Sequence, residues 1–117
     1  MNTHSRPNEN QNQEFEKNSD KNNQFIISIS TENNIYIKLN ALEKNNIIKK
    51  SYSNKYTLEQ LKEIKYFTLF DDLTDIYNEL LDRMKKNEIS LKENNNKLIF
   101  IVLLPISKIK EINFELT

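Results

Sequence analysis

The chain has no cysteine, no glycine and no tryptophan, and its single histidine is His4. Without cysteine there are no disulfides, no thiolate zinc sites and no thiol nucleophile, and one histidine near the start of the chain leaves no Ser-His arrangement for a folded body. Without glycine there is neither a P-loop nor a dinucleotide fingerprint, because both bring backbone to phosphate where a Cβ does not fit. An excess of one charge is also missing. Seventeen basic side chains balance 17 acidic ones, which argues against a partner held mainly by counterion release, such as bulk DNA or RNA. The longest apolar run, Leu98–Leu104, is strand-sized and far short of the ~20 residues of a membrane-spanning helix. No signal-peptide or transit-peptide pattern opens the chain, and no N-x-Ser/Thr sequon occurs. The expectation is a cytoplasmic protein with no cofactor and no membrane partner.

What is present divides in two. Residues 1–23 carry only Met1 and Phe15 as large apolar side chains, against nine Asn or Gln. So little apolar surface does not offset the entropy of ordering, and a disordered tail is expected there, His4 included. Residues 24–117 hold 40 large apolar side chains among 94 positions, enough for the core of a single domain.

Within that body, Phe25, Ile27 and Ile29 alternate with polar residues, and so do Ile35, Ile37 and Leu39, which predicts paired strands. Thr31-Glu-Asn-Asn34 supplies the turn between them, with Asn taking the positive φ usually given to Gly. A further short strand is expected around Ile47–Tyr52. Periodicity then changes. Thr57-Leu-Glu-Gln60 is a capping-box pattern opening a helix with Leu58, Leu61 and Ile64 on one side. Asp71 or Asp72 starts a second helix, where Leu73, Ile76, Tyr77, Leu80, Leu81 and Met84 recur at intervals of three and four.

Three strands follow: one at Ile89 and Leu91, a turn at Asn94–Asn96, then Lys97–Leu104, then Ile112, Phe114 and Leu116. The middle run is apolar at both parities, which predicts a central strand covered on both faces. Pro105 ends it. The order strands–helix–helix–three strands predicts an α+β domain: a small, mostly antiparallel sheet or sandwich with a two-helix insertion.

Candidate sites are few. Residues 38–56 carry a net charge of +4, including Lys49 and Lys50, whereas 57–82 carry −5. Acids at the start of the second helix and Arg83, Lys85 and Lys86 at its end fit the helix dipole. The same asymmetry can steer neighbouring copies together. Asp71, Asp72 and Asp75 could hold a divalent cation or do acid–base work, although a calcium loop needs more oxygen ligands and usually a Gly. Helix capping accounts for them without either role. Tyr52, Tyr56, Tyr66, Phe67 and Phe70, interleaved with lysines, could stack nucleic-acid bases, but core packing is their more usual use. Ile106, in the turn after Pro105, is a candidate anchor for a partner pocket.

Taken together, Tyr56-Thr-Leu-Glu-Gln-Leu-Lys-Glu-Ile-Lys-Tyr-Phe67, Phe70-Asp71, Leu80-Leu81, Ile89-Ser-Leu91, the Lys97-Leu-Ile-Phe100 strand and Ile112-Asn-Phe-Glu-Leu116 resemble an uncharacterised protist module seen ahead of coiled-coil or other interaction regions. The likeness spans about residues 25–117 and rests on hydrophobic pattern. The element order is also similar to the head domains of centriolar-cartwheel and break-repair scaffold proteins, and Glu93-Asn-Asn-Asn-Lys97 followed by an apolar strand resembles the cartwheel head's late strand region. That likeness implies a β-sandwich with an inserted helical pair that mediates assembly, with an apolar hairpin residue entering a neighbouring head. Ile106 is the matching hairpin-tip position. Those scaffolds continue into a long coiled coil, and no heptads run up to Thr117.

The function expected is therefore a non-enzymatic interaction or assembly module. It would bind a protein partner or itself through a sheet edge, the hairpin near Ile106, or the acidic helices against Lys49 and Lys50. The alternatives are a carboxylate-dependent enzyme or metal protein at Asp71, Asp72 and Asp75, and a weak nucleic-acid binder using residues 38–55.

Overall fold

A computed structural model describes residues 11–104 and 111–117. Two antiparallel meanders are joined by a helical insertion. The first is a four-stranded sheet in the order β1 (Gln11–Asn18), β2 (Gln24–Glu32), β3 (Tyr36–Glu43), β4 (Ser51–Thr57). The insertion holds α1 (Leu58–Leu61), a 3-10 turn (Lys65–Leu69) and α2 (Leu73–Lys85). The second sheet is β5 (Ile89–Asn94), β6 (Lys97–Leu103) and β7 (Glu111–Leu116). The domain is α+β, as the element order predicts.

Alternation puts Phe25, Ile27 and Ile29 of β2 and Ile37, Leu39 and Ala41 of β3 on the inner face of the first sheet. They meet Leu98, Phe100 and Val102 of β6 and Ile112, Phe114 and Leu116 of β7. The buried face of α2 (Leu73, Ile76, Tyr77 and Leu80) completes this core and packs on β2, β3 and β6. The Tyr77 hydroxyl donates to the Ile29 carbonyl at 3.3 Å, so the one polar atom on that face is satisfied.

The two sheets are stitched along both margins. On one side Ser19 bridges Leu91, and the Asp20 amide donates to the Leu91 carbonyl at 2.9 Å. Glu93 accepts from the Ser19 hydroxyl and from the Asn23 side chain. On the other side the Tyr56 hydroxyl and the Asn54 amide both donate to the Glu115 carbonyl, and the Thr117 amide donates to Ser53.

Local chemistry explains the joints. Thr57 forms both arms of its capping box with Gln60, yet α1 is a single turn, shorter than the Leu58–Ile64 spacing predicts, and passes into the 3-10 turn. Asp72 is the N-cap of α2, accepting from the Asp75 amide at 3.0 Å. The helix ends in a Schellman motif: the Glu88 amide donates to the Arg83 carbonyl and the Asn87 amide to that of Met84. Asn22, Asn33, Asn34, Asn87 and Asn95 are the positive-φ residues among those described. In a chain without glycine, asparagine takes the left-handed positions because its side chain hydrogen-bonds locally there.

Three expectations are corrected. Gln11–Asn18, placed in a disordered tail, is an edge strand paired residue for residue with β2, from Gln11 opposite Thr31 to Asn18 opposite Gln24. Its stabilisation comes from the backbone ladder, Phe15 and the seam at Ser19 rather than from an apolar face; residues 1–10 lie outside the described residues. The strand expected at Ile47–Tyr52 begins only at Ser51, and Ile47 and Ile48 stand fully exposed in the preceding loop. Finally, β6 is central in its sheet but covered on one face only. Ile99 and Ile101 are half-buried and Leu103 is 41% exposed, because the whole insertion packs on the inner side.

Candidate interaction surface

The acidic residues expected to form a site are spent on helix geometry. Asp72 caps α2, Asp75 lies in its first turn, and Asp71 precedes the cap; all three are exposed. No group of three or more His, Cys, Asp or Glu able to hold a metal ion occurs among the described residues. The aromatic residues do not splay outward as a base-stacking platform. Phe67 and Tyr52 are buried, and Tyr56, Tyr66 and Phe70 lean on the core. Edge contacts join Tyr56 to Phe114, and Tyr66 to both Phe67 and Phe70.

Lys49 and Lys50 lie on the exposed loop between β3 and β4. Glu43 closes the neck of that loop. Its amide donates to the Lys50 carbonyl at 2.9 Å, and its buried carboxylate accepts from the Lys50 amide at 3.1 Å. The Asn46 side chain and then that amide hold the Glu43 carboxyl below its usual value. The loop thus presents Ile47, Ile48, Lys49 and Lys50 on a fixed base, well separated from Asp71, Asp72 and Asp75 in sequence and without an ion pair to them among those found. Ile106 lies outside the described residues.

The surface with the most interface character is one the sequence reading passed over, the outer face of β5–β6–β7. Cross-strand register arranges it in rows. Lys92, Ile99 and Glu115 form one; Ser90, Ile101 and Asn113 the next; Leu103 and Glu111 the last. An apolar ridge on the central strand is therefore flanked by a basic strand on one side and an acidic strand on the other. A groove of about 510 Å³ runs beside it, bounded also by Tyr56 and Asn94. Lys97 turns from the ridge to pair with its own Glu115 at 3.1 Å, while Lys92 makes no ion pair among the described residues.

No family model matches this chain, and neither a curated protein nor a solved structure matches it. Function is therefore argued from the surface itself. The signal for the ridge was in the sequence: Lys97–Leu104 is apolar at both parities, which foretold two covered faces where this chain supplies cover for one. No helix among the described residues is long and apolar enough to cross a membrane.

Proposed function

We propose that this domain is a non-enzymatic protein-interaction module that works through the outer face of its second sheet. The observation that carries the reading is the ridge of Ile99, Ile101 and Leu103 on β6, set between polar flanks. An apolar centre within a polar rim is the anatomy of a protein-binding patch. Its rigidity supports the same reading, since all three strands are hydrogen-bonded and the ridge needs no rearrangement to meet a partner. The element order shared with scaffold head domains points the same way, as an analogy of fold.

A photo-reactive amino acid in place of Ile101 tests the reading in cells that make the protein. Adducts with protein partners are expected from that position and not from Asn40, on the outer face of the first sheet. Equal yields from the two positions, or none from 101, would remove the basis for the proposal.

A further inference from the structure

Resting on that reading, we infer that the partner of this face is the same face of a second copy, related by a two-fold axis parallel to β6. The argument is one of self-complementarity. Such an axis swaps β5 with β7 and leaves each row at its own level. Lys92 of each copy then lies over Glu115 of the other, Ser90 over Asn113, and the three apolar residues of β6 meet their own counterparts. An isologous interface requires a patch that matches itself in this way.

The other face-to-face arrangement, with the axis perpendicular to the strands, places β7 against β7. Glu111 of one copy would then face Glu115 of the other, a like-charge contact that is costly at an interface. The strand-parallel axis avoids this. At its third level Glu111 approaches Glu88, whose charge Arg83 already balances at 2.6 Å. Lys97 clears the axis by pairing with Glu115. Stacked sheets with strands within about 30° of each other are a standard packing, so the twist of the sheets is no obstacle.

Size sets the strength. Three strands about 4.8 Å apart, each with about seven residues rising about 3.3 Å, make a face of roughly 300 Å². That is well below the ~800 Å² per partner of a stable interface. The dimer is therefore weak and reversible, with a dissociation constant on the order of 100 µM.

Sedimentation equilibrium of the full chain across a concentration series tests this. The mass is expected to rise reversibly from 14.0 kDa toward twice that value. Ile101→Glu should hold the chain at the monomer mass, because it brings two charges together at the axis. Lys92→Glu should weaken association at least about 10-fold, and adding Glu115→Lys to it should recover most of that loss. Ile106→Glu should leave association unchanged. Association that survives Ile101→Glu and Lys92→Glu, or that disappears with Ile106→Glu, would overturn the two-fold. A strict monomer at millimolar concentration would also overturn it, while adducts to a different protein from position 101 would still uphold the broader reading. Circular dichroism of each variant separates loss of association from loss of fold.

Discussion

Arg83 reaches past the end of α2 to hold Glu88 at 2.6 Å. The same guanidinium bonds Asp82 at 2.9 Å, and its Nε faces Glu79 at 3.4 Å without hydrogen-bond geometry. Arg83 is 7% exposed, so it is a nearly buried cation serving three carboxylates. Replacing it with Met should lower stability by about 3 kcal/mol, because Glu79 and Glu88 lose their counter-charge where water reaches them poorly. Adding Glu79→Gln and Glu88→Gln should recover part of the loss. Urea unfolding of the three variants checks this.

Glu79 also accepts the hydrogen bond of the Tyr66 hydroxyl. Burial first, and this carboxylate second, push the Tyr66 phenol from 10.0 up to about 12. Below pH 10 the phenol is neutral in both folded and unfolded chains. Between 10 and about 12 the unfolded chain ionises first, so stability falls as pH rises through that window. Burial raises Tyr56 and Tyr77 in the same direction. The urea midpoint should be lower at about pH 11 than at about pH 9, and Tyr66→Phe should reduce but not abolish the difference.

Asn87 closes α2 at φ 58°, a conformation that costs a residue with a Cβ about 1–2 kcal/mol. Asn87→Gly should match or exceed the natural chain in thermal stability. Asn87→Ala should lose about 1 kcal/mol. If the alanine variant were as stable as the natural chain, the Schellman geometry at this position would be wrong.

Periodicity made most of the body legible. The alternation of Phe25–Ile29 and Ile112–Leu116, the capping box at Thr57 and the spacing from Leu73 to Leu80 each report a residue's position relative to the core. What escaped was structure whose stability is not written in side chains. Gln11–Asn18 is a strand because β2 offers it a backbone edge, and that edge exists only once the sheet has formed. Ile47 and Ile48 read as strand because apolar residues are normally sheltered, whereas Glu43 pins their loop outward. For the candidate surface, the apolar character of Ile99, Ile101 and Leu103 was plain. The pairing of Lys92 with Glu115 across Ile99 was not, since it depends on the register of three strands.

The stitched margins of the sandwich also bear on how the chain folds. Each meander is built from neighbouring hairpins, whose contacts close short loops and form early. The seams join residues far apart in the chain: Asp20 with Glu93 across 73 positions, and Asn54 with Glu115 across 61. Closing such long loops carries an entropic cost that precedes any reward from the contacts. The two sheets should therefore form locally and meet late, with the insertion between β4 and β5 setting the distance over which they find each other. Until that closure the ridge and the inner faces of both sheets are open together. The rate of docking, more than the final stability, then governs how long the nascent chain is exposed to aggregation.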